Sequence, residues 1–189
     1  MKGEISMEIL VVDCQYDFID GSLACGHSEE AVKNIIALIH SNPEAKVYYS
    51  ADNHSEKNCS YIQNGGTWPT HCQAGTHGAE IHKSFTTDIK NPSQRPNDET
   101  IYYKGVRDDV EEYSAFKAKN KSGKEINQVI GHEVIVCGIA SEFCVRESVI
   151  ELLKSGRKIE VDENLLGWVD ENNHHKNLDE LKSMGVKII

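Results

Sequence analysis

Long apolar runs are missing from this 189-residue chain: stretches such as ILVV at Ile9–Val12 fall far below the ~18 to 20 residues that span a bilayer. MKGEISMEIL also lacks the apolar centre of a secretion signal, so the protein is expected in the cytoplasm with no membrane partner. An excess of basic residues is missing too, since 20 Lys and Arg stand against 30 Asp and Glu, a net charge of −10. Nucleic-acid binding relies on Lys and Arg displacing counterions, which argues against a nucleic-acid partner and assigns the acidic balance to solubility. Repeats, low-complexity tracts and an interdomain linker are absent. Six cysteines are present (Cys14, Cys25, Cys59, Cys72, Cys137, Cys144), yet several fall inside strand or helix patterns of a chain too long for a small disulfide framework. Free thiols are expected, one of them available for chemistry.

An apolar share of 39% with both charge signs well represented suits one globular domain over 1–189. Apolar periodicity gives strands at Glu8–Cys14, Lys46–Asp52, Thr100–Gly105 and His132–Ile139, with further strands in KIEVDENLL and the closing VKII. Helices alternate with them: Ser28–His40 with Ser28 as N-cap, a short one in GKEINQVI, one from about Ser141 to a stop at Gly156, and one in LDELKSMG. That alternation predicts an α/β fold, a three-layer α-β-α sandwich around a mostly parallel, doubly wound sheet. Sites in such sheets gather at the carboxyl ends of strands. The stretch of about 53–99 is too long for an ordinary connection, so it is expected to be functional or to contain a small helix near HGAEIHKSF.

Several strand ends carry chemistry. Asp13 follows ILVV, Asp52 and His54 follow VYYSA, Lys104 follows IYY, and Cys144 lies in the first turn of the helix after VIVCGI. Singly, each has an ordinary explanation as a cap, a solvated charge or a packing residue; together they line one edge of the sheet. At a helix N-terminus, the free amides and the positive dipole end favour thiolate, and a nearby Lys104 would favour it further. Asp13 would take the thiol proton and pass it to a leaving amine, while the amides of Ala140 and Cys144 would cradle an oxyanion. A Cys, Asp and Lys set without histidine points to acyl transfer from an amide. Asp52 and His54, two apart on an extended segment, face the same way and can share a metal with His71. In GTWPTHC, Gly66–Cys72, Trp68 then supplies an aromatic wall beside that metal.

The segments ILVVDCQYDFIDGSLAC, SADNH, GTWPTHCQAGTHGAEIH, YYKG with DDVEEYSAF, and GIASEFCVRESVIELLKSG run in order from Glu8 to Gly156. In this combination the chain resembles the nicotinamidases, also called pyrazinamidases, of the isochorismatase-like cysteine hydrolase superfamily. The resemblance implies a catalytic triad of Asp13, Lys104 and Cys144, and a metal held by Asp52, His54 and His71 with Ser60 in contact through water. It implies zinc, iron or manganese as the metal, bound to the ring nitrogen of the substrate. Phe18 and Trp68 would sandwich the pyridine ring, Tyr113 would help close the pocket, and a cis Ile139-Ala140 peptide would aim the Ala140 amide at the oxyanion. The implied reaction is nicotinamide to nicotinic acid and ammonia through a thioester, with pyrazinamide as a further substrate and a homo-oligomer as a possible assembly. Two alternatives remain open on the residues: a related hydrolase acting on another small amide, and an inactive scaffold that binds metal or a partner. Ser141, Glu142 and Phe143 depart from the family's common Thr, Asp and Tyr, and ENLLGWVDENNHHKN is untypical.

Overall fold

The computed structural model describes residues 7–189; the reading of the first residues as free of a leader falls largely outside them. Six strands form one parallel sheet: β1 (Glu8–Val12), β2 (Val47–Asp52), β3 (Ile101–Lys104), β4 (Glu133–Gly138), β5 (Lys158–Val161) and β6 (Lys187–Ile188). Their spatial order is β3-β2-β1-β4-β5-β6, so the winding reverses between β1 and β4. At that reversal the connections leave in opposite directions and open a crevice at the carboxyl ends.

β1 is buried along its whole length because helices cover both faces of the sheet. Successive side chains of a strand point to opposite faces. Ile9 and Val11 therefore meet the apolar face of α2 (Ser28–Ser41), formed by Val32, Ile35, Ile36 and Ile39. Leu10 and Val12 meet the opposite layer, which holds Val149 and Leu152 of α5 (Arg146–Lys154) and Leu178 and Leu181 of α6 (Glu171–Ser183). The three-layer expectation is met, with every strand pair parallel. Short helices α1 (Tyr16–Ile19), α3 (Ser84–Thr87) and α4 (Ile126–Val129) complete the set. No helix among the described residues is long and apolar enough to cross a membrane.

Three local expectations change. Ser28 is the first helical residue of α2 and not its cap: His27 takes that place at φ +59°, and Ser28 Oγ donates to the Cys25 carbonyl at 2.7 Å. HGAEIHKSF divides into a 3₁₀ turn, His77–Ala79, and α3. The C-terminal helix begins well before LDELKSMG, at Glu171, with Asp170 Oδ1 accepting from the Asn173 amide at 2.8 Å as the cap. Its buried face is His174, Asn177, Leu178 and Leu181. That spacing is helical, but two of the four positions are polar, so an apolar pattern shows only the last turns.

Gly138 ends β4 at φ +116°, and a Cβ there would stand 2.1 Å from the Val12 carbonyl oxygen. Gly138→Ala combines that clash with a backbone region closed to side chains, so urea unfolding should show a loss of at least about 1 to 3 kcal/mol. Undiminished stability would mean that β1 and β4 separate here without cost.

Candidate active site

The carboxyl ends of β1, β2 and β3 bring Asp13, Asp52 and Lys104 together. Asp52 and Lys104 are register partners across β2 and β3, and Asp13 follows β1 at φ +48°, a left-handed conformation uncommon for a residue with a side chain. All three are buried, with Asp13 at 0% exposure and Lys104 at 3%. Lys104 Nζ lies 2.8 Å from Asp13 Oδ2, 2.6 Å from Asp52 Oδ1 and 3.4 Å from Cys144 Sγ. An ammonium out of water persists only when paired and hydrogen-bonded, and these contacts supply that pairing. Burial alone would lower the Lys104 pKa, but Asp13 and Asp52 carry it well above the ordinary lysine value.

One cation cannot neutralise every acidic group around it. Burial raises the Asp13 pKa by more than Lys104 lowers it, and the Asp52 charge raises it further. For Asp52 burial also acts upward, but Lys104 and His54 together bring its pKa below the usual range. Asp13, whose Oδ1 otherwise accepts from Ser50 Oγ at 2.6 Å, is therefore the carboxylate with the greater affinity for a proton. Cys144 corrects an expectation. Burial lifts its thiol well above the ordinary cysteine value, Lys104 offsets only part of this, and Asp13 and Asp52 add to the rise. These influences favour the thiol, set beside the Asp13 carboxylate, over a preformed thiolate.

Cys144 sits on a π-helical turn, Ser141–Val145, that precedes α5. The Ile139-Ala140 peptide entering that turn is cis. Ala140 lines the cavity, and among the described residues none accepts its N–H. A donor left free beside a nucleophile is available to an oxyanion.

Asp52, His54 and His71 form a second cluster, with one ligand atom from each within 4.8 Å of the others. His54 Nδ1 lies 2.7 Å from the Gly105 carbonyl and His71 Nδ1 lies 2.7 Å from that of Pro69. Each contact turns Nε2 toward the cluster, the outer-shell arrangement common to metal-binding histidines. Burial lowers the His71 pKa and keeps this imidazole neutral, as a ligand must be. Ser60 Oγ, buried and without a hydrogen-bond partner among the described residues, faces the same cavity. These features fit a divalent cation. Asp13, Asp52 and Cys144 also lie within ligand distance of one another, but Lys104 Nζ already provides the positive charge there.

A narrow cavity of about 30 Å³ connects the two clusters, walled by Phe18, Trp68, Tyr113 and Phe143. Phe18 lies 5.5 Å from the His71 ring, and Trp68 meets Phe143 edge-on at 5.0 Å. Trp68 Nε1 donates to Glu111 Oε1 at 2.9 Å and to the Tyr113 hydroxyl at 3.1 Å, and that hydroxyl is itself bonded to Glu111. Every site residue expected from sequence thus lies in one of the two clusters or on this cavity's wall. Sequence reasoning missed Ser50, Gln15, Gly105 and Glu111. Gln15 holds both the Asp52 amide and its carbonyl, each at 2.8 Å, yet nothing in a lone Gln after a strand signals that duty.

A sequence model of the isochorismatase domain matches residues 8–189. The nicotinamidase/pyrazinamidase of Mycobacterium tuberculosis is 25% identical over 190 residues, covering 96% of this chain and 97% of its own. Among solved structures, the pyrazinamidase of Pyrococcus horikoshii in complex with zinc has a TM-score of 0.82 at 28% identity, covering 97% of this chain and 98% of that one. PnC1 of L. infantum in complex with nicotinate also gives 0.82, at 30% identity, over 97% and 92%.

A Cβ on Gly105 would fall 2.3 Å from His54 Cε1, at a φ of +64°. Gly105→Ala should displace this imidazole and weaken divalent-metal binding by about 10- to 100-fold, read by competition with a coloured chelator. Unaltered affinity would show that the Gly105 contact does not orient His54.

Proposed function

The chain belongs to the isochorismatase domain family, and on that premise we propose that it is a nicotinamidase, hydrolysing nicotinamide to nicotinic acid and ammonia and accepting pyrazinamide as well. One observation carries the reading: a buried Lys104 ammonium joins Asp13 to Cys144 and pairs with Asp52, the carboxylate it shares with the His54 and His71 metal-ligand cluster. Nicotinamide has an aromatic nitrogen at one end and a carboxamide at the other, which suits a site with a cation cluster at one end and a thiol at the other. The relatives named above support the same substrate.

Asp52, His54 and His71 would hold the metal, with Ser60 contributing through a water. Zinc, as in the P. horikoshii relative, is the first choice over iron or manganese. When bound, the cation supplies a Lewis-acidic anchor for the ring nitrogen. Phe18 and Trp68 hold the two faces of the ring and Tyr113 closes the side, which fixes the carboxamide carbon near Cys144 Sγ. Such positioning is worth up to roughly 7 to 11 kcal/mol where the reacting geometry is well matched.

Asp13 takes the thiol proton as the sulfur attacks the amide carbon, and the Ala140 and Cys144 amides receive the resulting oxyanion. Asp13 returns the proton to nitrogen, the C–N bond breaks, and ammonia leaves a thioester on Cys144. A water then gives a proton to Asp13 and adds to the thioester carbon. Collapse releases nicotinic acid, and the proton returns to sulfur. Lys104 keeps its charge throughout and limits the cost of negative charge moving among Asp13, the oxyanion and sulfur. The chain acts as one cysteine hydrolase domain over 1–189, with the 53–99 region supplying metal and ring contacts.

The test is release of ammonia and nicotinic acid from nicotinamide by the purified protein. Cys144→Ala should lower kcat by about 10³-fold or more, and chelation should reduce turnover until metal is restored. A folded, metal-loaded protein without turnover would contradict the proposal, whereas activity that survives proven metal loss would remove the role given to Asp52, His54 and His71.

A further inference from the structure

The turn that carries Ala140 and Cys144 is held from behind by α6. Ser141, between the two, is fully buried and all its polar groups are engaged. Its amide donates to the Gly167 carbonyl at 2.8 Å. Its carbonyl accepts from Asn177 Nδ2 at 2.8 Å, and its Oγ lies 3.2 Å from the same nitrogen and 2.7 Å from His174 Nδ1. His174 and Asn177 are themselves buried, at 2% and 4% exposure. Arg146, at the start of α5, donates to Asn177 Oδ1 at 2.8 Å. A guanidinium can only donate, so the Asn177 oxygen faces Arg146 and its NH₂ faces Ser141. On the other side His174 stacks on Trp168 at 4.6 Å, and Trp168 stacks on His27 at 4.9 Å.

We infer that His174 and Asn177 are positioning residues for the reaction, clamping Ser141 so that the Ala140 N–H and the Cys144 sulfur keep their aim at the amide carbon. Neither reaches the cavity, so neither touches substrate. Their effect passes through the backbone of the turn. The π-helical turn closes the Ser141 carbonyl on the Arg146 N–H, and Asn177 Nδ2 adds a second bond to that carbonyl from α6, tying the turn to a neighbouring element. Buried polar groups are costly unless satisfied. Two polar residues on the inner face of α6 are therefore explained by the partner they serve. The inference deepens the proposed amide hydrolysis and rests on it.

The experiment compares wild type with His174→Leu, His174→Asn and Asn177→Ala, each in the metal-loaded full chain. Four quantities are read: kcat and KM for nicotinamide, the Kd of nicotinate, and the Kd of pyridine-3-carbaldehyde. The aldehyde reports the turn directly, because its carbon bonds to Cys144 sulfur while the thiol proton moves to oxygen at the oxyanion position. His174→Leu and Asn177→Ala should lower kcat by about 10- to 100-fold, the scale of a misplaced reacting group. Aldehyde affinity should fall in parallel, while KM and nicotinate affinity stay near wild type. His174→Asn should recover most of kcat, because its side-chain amide nitrogen branches from Cγ as Nδ1 does. Undiminished kcat and aldehyde affinity in the folded variants would overturn the inference, as would equal losses of kcat, aldehyde and nicotinate binding. If His174→Leu does not fold, Ser141→Ala removes the shared Oγ alone and carries the same expectations. A wild type inert toward nicotinamide would instead overturn the reading beneath the inference, a result visible before any variant is made.

Discussion

The buried ammonium of Lys104 is the constraint around which the site is arranged. It sits within 3.4 Å of two carboxylates and one sulfur, and its partners come from the ends of β1 and β2 and the turn after β4. Sheet register delivers it: Asp52 and Lys104 are direct partners across β2 and β3. A slip of one residue would turn Lys104 to the other face of the sheet and strand the carboxylates without a cation. The strand pairing that builds the core is therefore the same pairing that charges the site.

Asp52 divides its two oxygens between the clusters. Oδ1 meets Lys104 at 2.6 Å, and Oδ2 lies 3.6 Å from His54 Nε2. This sharing lowers its proton affinity and leaves Asp13 as the carboxylate that the proposed mechanism uses to exchange a proton with Cys144. The proposed reaction and the candidate metal cluster are thus joined through one carboxylate, which Gln15 fixes at the backbone. Behind the nucleophile, the Ser141 contacts with α6 complete the frame.

Much of this was legible in the sequence because strands buried on both faces leave long apolar signatures, and the residues after them fall at the crevice by topology. ILVV followed by Asp13, and VIVCGIA followed by the Cys144 turn, needed no more than that rule. The rest depended on information that periodicity lacks. Two polar side chains on the buried face of α6 concealed its first turns, and His27 at positive φ takes the cap position expected of Ser28. The proton affinity of Cys144 was harder to read: a helix start and a nearby lysine argue for thiolate, but burial acts the other way and is a larger influence than Lys104, and burial follows only from the packed fold.

Joint neutron and X-ray diffraction of deuterium-exchanged crystals tests the central claim most directly, since it locates the protons that Lys104, Asp52 and Cys144 share. The account predicts a fully protonated Lys104 ammonium, no deuterium on Asp52 and a deuterium on the Cys144 sulfur of the resting protein. A neutral Lys104, or a bare Cys144 sulfur, would contradict it.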